Sequence, residues 1–164
     1  MSVRFNADEI LAIAERLEQN AAAFYRTAAE AVQYPGGRQI LEDLAAWEEK
    51  HERIFSSMRE QLTQVEMDET AFDPYDEGTQ YLQALADHNV FRLSEKPEAF
   101  LGRDPSFSRI LDAAIGKEKD SITFYHEMKQ MVPAELGKER VDGIIAEEKK
   151  HVTILTRKLG EVKD

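Results

Sequence analysis

The chain has 164 residues, enough for one domain with a proper core, and is 42% hydrophobic and 32% charged with a formal charge of −11. That charge, with no run of five or more basic residues, argues against nucleic acid and against an anionic membrane surface. The absence of cysteine excludes disulfides, thiol catalysis, iron–sulfur clusters and Cys-based zinc sites. No apolar run approaches the ~18 residues of a transmembrane span. The opening stretch MSVRFNADEI has no apolar export core, so a cytoplasmic protein is expected.

The first helix has a clear start. Asn6 can cap it, Glu9 can reach back as in a capping box, and Phe5 with Ile10 fits a hydrophobic staple. Helical periodicity runs through Leu11, Ala14, Leu17, Ala21, Phe24, Tyr25 and Ala28 and stops near the breaker Tyr34-Pro35-Gly36-Gly37. A second helix is expected from about Arg38 to Gln64; each would be roughly 26 residues, or ~40 Å, long.

Residues 66–106 are punctuated by Asp73-Pro74, Glu77-Gly78, Lys96-Pro97 and Asp104-Pro105, with a modest helix over 79–91. A third long helix is expected with Asp104 as its cap and Pro105 at its first position, ending before Pro133. A fourth runs from about Lys138 to Leu159, with Gly160 as its stop. The prediction is an all-α, single-domain four-helix bundle over 1–164. Its one long crossover, the 66–106 connector, lies between the second and third long helices.

The motif EEKHERIF (48–55) poses the main question. Glu48 and His51 stand three apart, in the middle of an apolar stripe formed by Ile40, Leu41, Leu44, Trp47, Ile54, Phe55, Met58 and Leu62. Burying a carboxylate and an imidazole there costs several kcal/mol unless something compensates them. The answer comes from an internal repeat at an offset of 100 residues. Glu18 matches Glu118, Tyr25 matches Tyr125, Glu48 matches Glu148 and His51 matches His151. Ile10, Leu11, Ala14 and Ile54 recur as Ile110, Leu111, Ala114 and Ile154.

Each long helix therefore turns one or two ligand-type side chains toward a common axis: Glu18, Glu48, His51, Glu118, Glu148 and His151. Four like charges at ~4 Å in low dielectric repel by many kcal/mol, and two divalent cations neutralise them. Carboxylate with imidazole suits iron, manganese, cobalt or zinc.

At these residues the sequence resembles the ferritin-like di-iron carboxylate proteins, most closely the rubrerythrin-like branch, through the repeated Glu-x6-Tyr and Glu-x-x-His pairs. The resemblance covers the four long helices. It implies a four-helix bundle whose six Glu and His residues bind two iron ions, with Mn or Zn as alternatives, and carry the chemistry. It also implies that the Glu-x-x-His glutamates, Glu48 and Glu148, bridge the metals. The implied reaction is oxidation of iron(II) by hydrogen peroxide or dioxygen, as a peroxidase or ferroxidase, in homodimers or larger assemblies.

There are departures. Rubrerythrins proper add a rubredoxin-like domain with paired Cys motifs, so here an external electron donor is implied. They also carry an extra glutamate where this chain has Ser121, which bears on peroxidase specialisation. The set of four Glu and two His equally resembles bacterioferritin. However, only 13 residues follow His151, too few for a fifth helix, and Glu49 stands where a haem-ligand methionine is expected.

Tyr25 and Tyr125 are expected to hydrogen-bond ligand carboxylates or be oxidised near the metals, to be core aromatics with satisfied hydroxyls, or both. Trp47 reads as packing next to a ligand, or as a quencher of strong oxidant. His88 and His126 read as surface or partly packed side chains, and Glu15, Glu49, Glu52 and Glu147 as solvated faces. Three functions compete: a di-iron oxidoreductase, an iron-storing or buffering protein, and a bundle clamped by structural metals with a partner-binding connector.

Overall fold

A computed structural model describes residues 4–68, 75–92 and 94–162. The chain forms α1 (Ala7–Ala31), α2 (Pro35–Glu60), α3 (Gln64–Met67), α4 (Glu77–Asn89), α5 (Pro97–Leu101), α6 (Phe107–Lys129), a 3-10 turn (Ala134–Leu136) and α7 (Lys138–Glu161). The described residues contain helices and no strand. The four long helices α1, α2, α6 and α7 carry the core.

α1 begins as its sequence dictates. The Asn6 side chain accepts the Glu9 N–H at 2.8 Å, and the Glu9 carboxylate accepts the Asn6 N–H at 2.8 Å. Phe5 and Ile10 are both buried. The expected breaker at 34–37 is instead the start of α2, with Pro35 in its first turn, where a fixed φ and a missing N–H cost nothing. Its two glycines serve close approach. A Cβ on Gly36 would lie 2.8 Å from the Phe107 ring, and one on Gly37 would lie 2.5 Å from the Tyr34 ring.

Three other boundaries differ from expectation. α2 ends at Glu60, and Thr63 then caps the separate short α3. α6 is capped by Ser106, whose Oγ accepts the Arg109 N–H at 3.1 Å; Pro105 and Asp104 lie outside it, Asp104 at φ +47°. Gly160 sits within the last turn of α7, which ends at Glu161 with Val162 as its cap. Helix appears at 77–89 where 79–91 was expected. The Asp73-Pro74 break lies outside the described residues.

A few bonds set the directions of the long helices. The Phe5 N–H donates to the Met131 carbonyl at 3.0 Å, joining the start of α1 to the end of α6. The Tyr34 hydroxyl donates to the Pro105 carbonyl at 2.6 Å, joining the α1–α2 turn to the start of α6. α1 and α6 are therefore antiparallel, while α2 and α6 begin at the same end. Arg140, in the first turn of α7, donates to Glu66 at 2.9 and 3.2 Å, so α7 begins beside the end of α2.

The segment between α2 and α6 is tied to the bundle. Arg16 of α1 forms a two-pronged pair with Asp87 of α4 at 2.8 and 2.6 Å, and Asn20 donates to the same carboxylate at 2.9 Å. The Lys117 ammonium donates to the Val90 carbonyl at 2.9 Å and to Glu95 at 2.6 Å. It also stands 5.1–5.8 Å from the ring centres of Phe100, Phe24 and Phe91, within cation–π range. Phe91 in turn meets Tyr25 edge to face at 5.6 Å.

Gly137, at φ +90°, turns the chain into α7, and a Cβ there would come within 2.6 Å of the Ala7 Cβ. Gly137→Ala combines a left-handed backbone with that clash, a cost of about 1–3 kcal/mol. We expect its melting temperature to fall by roughly 3–10 °C in thermal unfolding of the metal-free protein; an unchanged value would mean that the α1–α7 approach is relaxed in solution.

Candidate metal centre

Glu18 is held by α1, Glu48 and His51 by α2, Glu118 by α6, and Glu148 and His151 by α7. All six side chains are buried, with residue exposures from 0% at Glu148 to 7% at His51. The i,i+3 spacing puts each Glu-x-x-His pair on one helix face. The apolar stripe around them turns that face inward: Ile40, Leu41, Leu44 and Phe55 on α2, and Val141, Ile144, Ile145 and Leu155 on α7, are buried. The matched pairs Ile10/Ile110, Leu11/Leu111, Ala14/Ala114 and Tyr25/Tyr125 are almost fully buried as well.

The structure brings all six together. His51 Nδ1 lies 3.8 Å from Glu18 Oε2, and His151 Nδ1 lies 3.5 Å from Glu118 Oε1 and 3.8 Å from Glu48 Oε2. The two imidazoles stack at 3.6 Å between centres with their planes 22° apart. Three overlapping groups each offer ligand atoms within 4.8 Å of one another: Glu18, His51 and Glu148; Glu118, Glu148 and His151; and Glu48, His51 and His151. Glu148 belongs with both histidines in turn, and Glu48 stands with both at once. The overlap of the three groups gives side chains that could hold metal ions at adjacent positions.

The polar accounting points the same way. Among the described residues, Glu48 Oε1, Glu118 Oε1, both Glu148 oxygens, His51 Nδ1 and His151 Nδ1 are buried with no hydrogen-bond partner. Buried polar atoms are ordinarily paired, and a group of orphans converging on one point calls for a ligand. Oxygen and imidazole nitrogen atoms form a donor set suited to a borderline divalent metal.

Without cations the cluster must hold protons. Burial pushes Glu18, Glu48 and Glu148 well above the ordinary carboxylate value of 4.5, and the neighbouring carboxylates push in the same direction. Glu118 is raised by burial too, partly opposed by the closeness of the Glu148 and Glu48 carboxyls. Burial lowers both histidines, His51 to about 3 with help from the adjacent His151 and the lysines at 150 and 50. In the metal-free centre burial thus biases the carboxyls toward the protonated form and the imidazoles toward the neutral one, which binds metal without losing a proton.

Tyr25 and Tyr125 are fully buried with unpartnered hydroxyls, so neither the expected bond to a ligand carboxylate nor a satisfied core hydroxyl is present. Their hydroxyl pKa values are raised well above 10, by burial first and then by the four carboxylates. His88 and His126 are exposed, as expected. The acidic side chains assigned to solvated faces are only half-exposed and have partners. Glu15 lies near Arg59, Glu49 near Arg26 and Glu147 near Lys150, and Glu52 accepts a bond from Gln19. Sequence reasoning placed Trp47 beside a ligand but missed its reach across to His151, where it stacks at 5.3 Å with planes 18° apart. A helical pattern reports the neighbours along one helix and is silent about the facing one.

An all-helical bundle with a buried carboxylate–imidazole centre drawn from four helices defines a ferritin-like protein. The comparisons agree: the family model for rubrerythrin matches residues 9–159, and the chain belongs to that family. A solved structure, described as a ferritin-like diiron-carboxylate protein from Thermotoga maritima, is 25% identical with a TM-score of 0.52, covering 98% of this chain and 99% of its own. A search of curated proteins finds no match. No described helix is long and apolar enough to cross a membrane.

Two predictions follow from this electrostatics. Because the folded carboxylates have raised pKa values, the unfolded chain releases their protons first as pH climbs above about 4.5. The metal-free protein should therefore lose stability progressively above that pH, while histidine protonation opposes folding below about 6.5. Melting curves of chelator-treated protein from pH 5 to 9 test this; a Tm that rises steadily to pH 9 would contradict it.

Replacing Glu148 by Met removes a fully buried, unpartnered carboxyl at similar volume. It should raise the Tm of the metal-free protein by a few degrees while weakening divalent-metal binding by more than tenfold. A lower Tm with undiminished metal affinity would contradict the assigned role.

Proposed function

We propose that the protein is a non-haem di-iron oxidoreductase of the rubrerythrin type, reacting with hydrogen peroxide or dioxygen. The observation that carries this reading is the convergence of six buried, ligand-type side chains from four helices, most of them with orphaned atoms. The diiron description of the Thermotoga maritima structure supports iron as the metal.

In this reading Glu18, Glu48, His51, Glu118, Glu148 and His151 would hold two iron ions, and the pair would supply the two electrons that the oxidant takes up. The chain's own part is to hold both metals in a pocket closed to bulk water and to keep their charges balanced by four carboxylates. The Tyr25 and Tyr125 hydroxyls, buried beside the carboxylates and held protonated by their raised pKa, are available there as hydrogen-bond donors. The chain has no cysteine-based redox group, so electrons return from an external donor.

Rapid mixing of anaerobically Fe(II)-loaded protein with hydrogen peroxide or with dioxygen tests the proposal. A fast near-ultraviolet ferric signal at two irons per chain is expected, and the faster oxidant separates peroxidase from ferroxidase. Glu48→Ala or Glu148→Ala should reduce it by more than about 100-fold, since outer-shell losses alone cost 10–100-fold. Full turnover in either variant, or bound iron that neither oxidant touches, would overturn it.

A further inference from the structure

The two halves of the centre are related by the 100-residue repeat, but their surroundings are not. Trp47 on α2 stacks on the His151 imidazole of α7 at 5.3 Å and 18°. Its counterpart in the second half is Glu147, which pairs with Lys150 at 2.6 Å. The other histidine, His51, shares the 3.6 Å stack with His151, but its further ring neighbour, Phe55, is tilted at 52° and 5.9 Å rather than stacked, so only His151 has an indole stacked on it as well. The repeat mate of Phe55 is Leu155.

The indole itself is held firmly. The Lys158 ammonium stands over it at 5.0 Å, a cation–π contact. The gap shared by Trp47, Ile40, Leu44, Leu111, Leu155 and Lys158 is only about 10 Å³. That is at the lower limit for one water molecule, so the half-buried indole is closely packed on that side. His151 is also the better assembled of the two imidazoles: its Nδ1 lies within 3.8 Å of two carboxylates, whereas His51 Nδ1 lies within that distance of one.

We propose that Trp47 is a positioning residue that makes the two metal positions inequivalent. Stacked on His151, it pre-organises the group Glu118, Glu148 and His151, which therefore fills before the group Glu18, His51 and Glu148. A ligand ring already fixed in its binding plane loses no rotational freedom when the metal arrives, and groups supporting a ligand in this way are worth 10–100-fold in affinity. The less organised position then takes its cation second, beside one already in place. Trp47 touches neither metal nor oxidant; it acts through His151.

The inference rests on the metal-binding reading of the centre, and the test separates the two. Cobalt(II) does not turn over under these conditions, and its visible absorption reports each binding step. Stepwise addition of cobalt(II) to the metal-free protein should give two steps with the first at least tenfold tighter. Trp47→Leu should weaken the first step by 10–100-fold, leave the second nearly unchanged and so merge the two. Trp47→Phe, which keeps a ring able to stack, should restore much of the separation. A purely structural loss would weaken both steps together and leave their ratio intact, with the fold monitored by helical circular dichroism.

Equal steps in the wild-type protein, or the wild-type ratio surviving in Trp47→Leu, would overturn the positioning role while leaving the metal centre standing. Failure of the wild-type protein to bind cobalt(II) at all would overturn the metal reading, and this inference with it.

Discussion

Charge compensation on the bundle axis is the constraint on which the rest of this structure depends. Four carboxyls and two imidazoles lie where an ordinary bundle would place leucine. At an effective dielectric of 20, two ionised carboxylates 4 Å apart repel by about 4 kcal/mol, and four of them multiply the problem. Burial favours the protonated carboxyls in the metal-free protein, and cations would relieve the repulsion in the proposed metal-bound one. The site is therefore an energetic liability to the fold alone, as sites built for function often are.

The remainder of the core has to carry that liability. Buried apolar side chains from α1, α2, α6 and α7 surround the polar centre, and fully buried Tyr25 and Tyr125 carry hydroxyls that feel the carboxylates. The segment between α2 and α6 adds a further covering on the α1 and α6 side through Arg16–Asp87, the Lys117 contacts and the Phe91–Tyr25 pair. The polar groups are thereby kept away from water, which strengthens every electrostatic interaction made there. The rubrerythrin family model spans the four long helices, and the ferritin-like solved structure shares the fold. The covering segment shows how this chain closes its own version.

Some features were legible because they are local or repeated. The capping box at Asn6 and Glu9 involves atoms three residues apart, and the 100-residue offset exposed all six candidate ligands without any knowledge of packing. The misread boundaries have a common cause. Pro35-Gly36-Gly37 reads as a breaker in isolation, yet the approach of Phe107 and Tyr34 makes glycine the fitting residue in a first helical turn. Asp104 and Ser106 are both competent caps, and the choice between them depends on where α5 and the Tyr34–Pro105 bond leave the chain. Gly160 stayed helical because one glycine costs only about 1 kcal/mol against a well-packed helix.

The sequence by itself determined that four long helices would each bury one or two ligand-type side chains, because helical phase and an exact repeat are properties of residue order. Only the tertiary structure decided which atoms of those side chains meet, that Glu48 and Glu148 each stand with both histidines, and that Trp47 reaches His151 rather than packing along its own helix. The physical reason is that residue order sets the face of a helix to within a fraction of a turn. The axial offset and rotation between facing helices, by contrast, emerge from packing the whole core at once.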